Sequence, residues 1–296
     1  MIENFGQVTL IENATESELA KIAAERNLDP TIFEKINSAT NVARFLKIES
    51  NTFASPHLLV TFDLHDTHDQ IETELTPTIA IFDHNQLLLC SYGNFIDLKK
   101  EQLIQAHPLS IIIKNLLISA KHIDRKLRHI KNQIDYLDQA ARKTTKTKEL
   151  KSVTDLTRKL VYLEHTLDDQ FSTIEEFCNY LTENKLTTKT QINDLNDLMV
   201  KERRLTKTIH IYRDLLDSIN SLFTAMMDSH LNHLMKFLDS AALVISIPAL
   251  ISGIWGMNVG GLPGKEDDNG FWLVILAGTV LAVICGILLK QKKYND

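Results

Sequence analysis

Two stretches near the C-terminus limit what this chain can fold into. Ser240–Asn258 and Phe271–Leu289 are nineteen residues each, and neither contains a charged side chain. A hydrocarbon core about 30 Å thick takes about 20 apolar residues to cross as a helix. Inside it every backbone N–H and C=O has to be paired within the segment. Both stretches are predicted to be membrane-spanning helices. Average composition hides them, since 24% charged residues, 44% hydrophobic residues and a net charge of −6 describe a soluble protein. The first 236 residues hold no comparable run.

Charge sets the topology. Six Lys or Arg residues lie between Lys201 and Leu238, and Lys290, Lys292 and Lys293 follow the second span. The connecting loop has Lys265 against Glu266, Asp267 and Asp268. The positive-inside rule places both termini in the cytoplasm and the acidic loop outside. The expected location is the plasma membrane of a bacterial or archaeal cell. Met1–Gly6 shows no basic-then-apolar leader. Cys90, Cys178 and Cys285 are too scattered for a disulfide framework or a zinc set. No basic block argues for nucleic acid as a partner. No phosphate loop, nucleophile elbow or HExxH pair argues for an enzyme.

The remainder divides by period. Residues 1–108 read as an α/β domain. Thr15 and Glu18 form a capping box for a short helix through Arg26. Val42–Glu49, His57–Leu64, Thr78–Phe82 and Leu87–Tyr92 read as strands, with Asp83–Gln86 as a hairpin turn. From about Ser110 the apolar residues recur in steps of four and three: Leu116, Ala120, Ile123, Leu127, Ile130, Ile134, Leu137, Ala141. After a polar turn at Arg142–Lys148 the rhythm resumes from Val153 through Phe171 and Ile174. Residues 109–190 are therefore an expected antiparallel helical hairpin. A third row starts at Leu198 and Glu202 and runs through Phe223, His230 and His233 to Phe237, with no Pro or Gly from 191 to 247. The expected stalk, 191–239, continues into the first span, 240–258. At 1.5 Å per residue, Gln191 to Trp255 covers roughly 100 Å. A loop at 259–270, a second span at 271–289 and a basic tail at 290–296 complete the expected order.

Two spans cannot enclose an aqueous path, so conduction needs several copies around an axis. Asp239, Ala242, Ser246, Ala249 and Gly253 form a row of small or polar residues on the first span. Such a row lines a path or lets helices pack closely, and the two uses are compatible. Leu243, Ile247, Leu250 and Ile254 lie elsewhere and suit lipid or the second span. Asp239 stands out as a charge at the membrane edge. His230 and His233 are candidate ligands for Zn²⁺ or Co²⁺. Asp63–Asp69, with Asp63 and Asp66, packs five potential ligands into seven residues. The first span ends on the polar tripeptide Gly256–Met257–Asn258.

Asn232, Met235 and Leu238, a proline inside the span, then Gly253-Ile254-Trp255-Gly256-Met257-Asn258 resemble the CorA family of divalent-cation transporters. The resemblance is close over the last 70 residues and extends to the layout of the rest. It implies a homopentamer with the first span around the pore. Gly256, Met257 and Asn258 would form the outer filter, with Asn258 offering carboxamide oxygens to a hydrated ion. Asn232, Met235 and Leu238 would line the inner pore and gate. Mg²⁺ is the implied cargo, with Co²⁺ or Ni²⁺ beside it, and cytosolic divalent ions would regulate closure. Asp197, Asp194, Asp63 and Asp66 are candidate sensors for such ions. Asp239 stands where the family usually has Thr. The Val259–Gly264 loop is similar to that of the family's zinc-transporting branch, which makes Zn²⁺ transport the alternative. A membrane-anchored coiled-coil scaffold is the alternative of a different class.

Overall fold

The computed structural model describes residues 2–33, 42–50, 52–64, 75–91, 107–143, 147–257 and 269–293. Strands β1 (Ile2–Phe5), β2 (Val8–Glu12), β3 (Arg44–Lys47), β4 (His57–Leu64), β5 (Leu75–Phe82) and β6 (Leu87–Ser91) form one sheet in the order β1-β2-β6-β5-β4-β3. The β2–β6 pair is parallel and the others are antiparallel. Every residue of β4 is buried. Alternation along a strand sends neighbouring side chains to opposite faces, so a wholly buried strand needs both faces covered. On one face Leu58, Val60 and Phe62 pack with Ile79, Ile81 and Leu88 beneath helix α1 (Glu16–Glu25) and a 3₁₀ turn at Pro30–Phe33. On the other, Leu59, Ala80, Phe82 and Leu89 meet the helices that follow.

The capping box of α1 is present: the Thr15 N–H donates to Glu18 Oε2 at 2.8 Å, and Thr15 Oγ1 accepts from the Glu18 N–H. The Asp83 carboxylate closes the hairpin by accepting from the Asn85 and Gln86 N–H groups, both at 2.7 Å. Strands β1 and β2 were not foreseen, because Glu3, Asn4 and Thr9 break the apolar runs that mark strands. β5 starts earlier than its β-branched stretch and includes Pro77. Among the described residues, pairing with β6 begins at Thr78, and Pro77 pairs with β4 alone. A missing N–H is tolerated there.

Helices α2 (Pro108–Ala141), α3 (Thr147–Glu183), α4 (Lys189–Trp255) and α5 (Gly270–Lys293) follow. His107 caps α2, its Nδ1 accepting from the Leu109 N–H, with Pro108 in the first turn. Thr188 and Gln191 form a second capping box, at the start of α4. The Gln191 amide also donates to Ser110 Oγ of α2 at 2.9 Å. All eight residues of the α2 row from Leu116 to Ala141 are buried. Asn132 to Leu137 lie beside Ser152 to Lys159, as an antiparallel hairpin requires. In α3 the row shifts after Leu167 from the expected Phe171 to Gln170, which is buried. In α4 the row is buried from Leu198 to Phe223.

Compactness divides the chain into Met1–Leu222 and Phe223–Asp296, a boundary inside α4 rather than at one of the expected breaks. Within the first unit, polar side chains complete the sheet. Phe62 lies past the last residue of β4 that pairs with β3 and opposite Pro77. Its N–H donates to Gln170 Oε1 of α3 at 2.8 Å, and its C=O accepts from Ser119 Oγ of α2. Within the second unit, α5 turns two glycines toward α4. A Cβ on Gly278 would stand 3.8 Å from Pro248 Cα and Ile251 Cδ1, and one on Gly286 3.8 Å from Val244 Cγ2.

Replacing Gln170 by Leu strands the buried Phe62 N–H, so chemical denaturation in detergent is expected to show a loss of about 1–3 kcal/mol. Gly278→Ala fits the available space and is expected to be neutral. Gly278→Leu forces α5 off α4 and is expected to lower stability by about 1–3 kcal/mol in a thermal unfolding assay.

Candidate functional site

The glycine contact decides which way the first span faces. Residues advance about 100° per step around a helix. Val244, Pro248 and Ile251 mark the side of α4 that meets α5, and Ser240, Ala241, Ile247 and Trp255 are half-buried around them. Asp239, Ala242, Ser246, Ala249 and Gly253 fall about half a turn away, and all five are exposed. Among the described residues, nothing in the chain covers the small and polar row. Of the residues expected to meet lipid or the second span, Leu243, Leu250 and Ile254 are exposed on the flank, while Ile247 is partly covered. Ser246 Oγ donates to the Leu243 carbonyl at 2.8 Å, which satisfies its proton within the helix and leaves its oxygen facing outward.

The row continues N-terminally along α4. Met235 lies in line with it, and Asn232 and Leu238 flank it within about 60°; all three are exposed. His230 and His233 do not join them. Helix geometry puts both on the side that continues the buried row of the stalk, roughly opposite Met235. The two rows share a four-three rhythm but run along different faces, which periodicity alone does not separate. At the other end the Gly256 N–H donates to the Ser252 carbonyl at 2.9 Å and the Met257 N–H to the Ile254 carbonyl at 3.2 Å, closing α4. Asn258 lies outside the described residues, as do Asp66 and the loop carboxylates Glu266, Asp267 and Asp268.

The candidate carboxylates of the first unit separate into two kinds. Asp194 and Asp197 are exposed on the first turns of α4, where Asp197 pairs with Lys201 at 2.5 Å. Asp63 is turned inward and is only 3% exposed. Its Oδ2 lies 2.9 Å from His122 Nδ1 of α2, and its Oδ1 accepts from the Leu64 N–H at 2.7 Å. An oxygen so enclosed has no open side toward a cytosolic ion.

Two polar arrangements escaped sequence reading. Between α3 and α4, His210 Nδ1 lies 2.7 Å from Glu164 Oε1 and its Nε2 3.2 Å from Asp168 Oδ1. Arg213 Nη1 donates to both oxygens of Glu164, at 2.8 and 2.9 Å. Glu, Asp and His at this range are a possible ligand set. Here the two ring nitrogens address different carboxylates and Arg213 already neutralises Glu164, so the group joins two helices rather than converging on one point. The second arrangement is Glu202, 1% exposed, with no hydrogen-bond partner of good geometry at either oxygen. Burial pushes its carboxyl up to about 7; the Gln170 side chain opposes this and the charge of Asp63 adds to it. A charged residue in a leucine row was the available signal, since Glu202 shares its row with Leu198, Leu205 and Ile209.

A family model described as "CorA-like Mg2+ transporter protein" matches residues 10–291. The cobalt/magnesium transport protein CorA of Methanocaldococcus jannaschii is 23% identical over 228 residues, which are 72% of this chain and 70% of that protein. The complete structure of the CorA magnesium transporter from the same organism superposes with a TM-score of 0.74 at 19% identity, covering 96% of this chain and 88% of that one. The full-length CmaX protein gives a TM-score of 0.71 at 14% identity with the same coverage. At such identities the structural likeness establishes the fold: an α/β domain, long helices and two C-terminal apolar helices. The family match begins in β2 and ends in α5, so sheet, stalk and both apolar helices fall within one pattern, and the chain belongs to the CorA-like Mg²⁺ transporter family.

Proposed function

We propose that this chain transports divalent cations across the plasma membrane as a homopentamer, with the exposed row of α4 lining the path. One observation carries the reading: α5 occupies the opposite side of α4, and among the described residues Asp239, Ala242, Ser246, Ala249 and Gly253 are left exposed. A polar row facing lipid is unfavourable. Symmetric copies around an axis remove it from lipid and create an aqueous bore. Mg²⁺, with Co²⁺ or Ni²⁺ beside it, is the cargo that fits best. A relative named as a cobalt/magnesium transport protein supports this assignment.

Mg²⁺ sheds its water reluctantly. Small side chains and a neutral carboxamide at Asn258 suit an ion that keeps part of its shell, since they accept hydrogen bonds from bound water without holding the ion fast. Gly256 and Met257 bring the chain to that ring. Asp239 raises the local cation concentration at the inner edge of the span. Met235 and Leu238, with Asn232, form an apolar constriction that closes by dewetting. Asp194 and Asp197 are placed on the surface of the cytosolic unit, where a neighbouring protomer can complete an ion site. Their mutual repulsion with no ion bound favours opening. Both termini face the cytoplasm. Asp63 does not belong to this sensor set, since its carboxylate is enclosed.

Reconstituted into proteoliposomes with the same pH on both sides, the protein is expected to pass Mg²⁺ and Co²⁺ faster than Zn²⁺. Faster Zn²⁺ flux places it with the zinc transporters instead, and no flux of any of these ions leaves a membrane-anchored scaffold. Asn258→Ala is expected to cut Mg²⁺ flux by about tenfold or more, equivalent to about 1.4 kcal/mol at the barrier. Asp239→Thr is expected to weaken apparent ion affinity about fivefold, the effect of about 1 kcal/mol of screened attraction. Its melting temperature should stay close to that of the parent. An unaltered flux curve for Asp239→Thr removes that residue from the path.

A further inference from the structure

Among the described residues, Glu202 is a carboxylate only 1% exposed, with both of its oxygens buried and lacking a well-formed hydrogen bond. It lies on α4 among Leu198, Leu205 and Ile209, all buried, and Thr206 one turn on also has an unpaired buried hydroxyl. From β4 it is faced by Asp63, whose own carboxylate is held by His122 of α2. From α3 it is faced by Gln170, whose carbonyl oxygen is taken by the Phe62 N–H. Cys178 of α3 is also near. Its thiol is pushed up to about 12, by burial first and then by the charges of Glu175 and Glu202. Among the described residues, Asp63 is the only charge that acts on Glu202, and it has the same sign.

An ionised carboxylate in such a place is costly unless it is paired. Among the described residues, Asp63 and Glu202 find no third ligand within reach of a shared metal ion. The remaining neutraliser is a proton. We propose that α4 is latched against β4, α2 and α3 by Glu202 in its neutral acid form, and that release of this proton to solvent loosens the helix. The latch stands on the packing of the cytosolic unit. Its consequence for transport rests on the function proposed above, because α4 also carries the exposed row.

The sign follows from linkage. The seated helix holds the Glu202 proton up to about pH 7, whereas a loosened, hydrated Glu202 loses it near the ordinary value of 4.5. The seated state binds more protons between these values, so its advantage falls as pH rises from 4.5 to about 7 and is flat above that. Between pH 6 and pH 8 the opening equilibrium is expected to rise about tenfold.

Amide hydrogen exchange on the full-length protein in detergent reads this directly. After correction for intrinsic exchange rates, protection over residues 195–209 is expected to fall about tenfold from pH 6 to pH 8, and to stay constant in Glu202→Gln. A wild-type profile that is flat, or a Glu202→Gln profile that follows the wild type, overturns the latch. Infrared difference spectroscopy of the wild type needs no variant: a buried carboxylic-acid C=O band should be present at pH 6 and bleach by pH 8. Absence of that band at pH 6 overturns the proposal equally. Flux in proteoliposomes with the internal pH stepped from 6 to 8 tests the link to transport. If no ion is carried at any pH, the transport reading fails while the exchange result still decides the latch.

Discussion

A backbone that enters hydrocarbon has to bring its hydrogen bonds with it, and α4 does so as one helix from Lys189 to Trp255. The rest of the architecture depends on that continuity. Below Phe223 the helix buries a leucine-rich row against the N-terminal domain. Beyond it the same helix is charge-free from Ser240. Pro248 removes one backbone N–H within the span without ending the helix.

The N-terminal domain meets α4 through an interior that is not purely apolar. Gln170 and Ser119 supply hydrogen bonds that the sheet lacks beside Phe62, and His122 holds Asp63. These contacts fix the register of α2 and α3 on β4 more sharply than leucine packing can, since a hydrogen bond fails within a fraction of an ångström. Glu202 sits in the same interior, and among the described residues no opposite charge balances it. A domain that could have buried another leucine there holds an acid instead, and that choice is what couples the seating of α4 to a proton.

The membrane end follows a different logic. Within lipid there is no hydrophobic drive to bring helices together, so close backbone approach decides the contact. Gly278 and Gly286 of α5 provide it against Val244, Pro248 and Ile251. One side of α4 is thereby covered by α5, and on the opposite side the described residues from Asp239 to Gly253 are exposed. The polar row and the glycine contact are thus two halves of one arrangement.

Much of this was legible along the chain. The two uncharged runs, the four-three rows from Leu116 and Leu198, the capping box at Thr15 and the strand His57–Leu64 all depend on neighbours a few residues apart, where period and side-chain chemistry act directly. The row from Asp239 to Gly253 was legible in the same way, as was the resemblance ending at Asn258. What the sequence could not determine depends on partners far away in the chain. Whether Asp63 faces solvent or His122, fifty-nine residues on, is settled by the packing of α2 on β4. Which side of α4 is free is settled by where the glycines of α5 land, and His230 and His233 fall on the other side for that reason. Glu202 read as one more heptad position until burial, with Asp63 of β4 and Gln170 of α3 facing it, removed its water. Periodicity specifies that a face exists; only the tertiary structure assigns what covers it, and so which acids keep their charge.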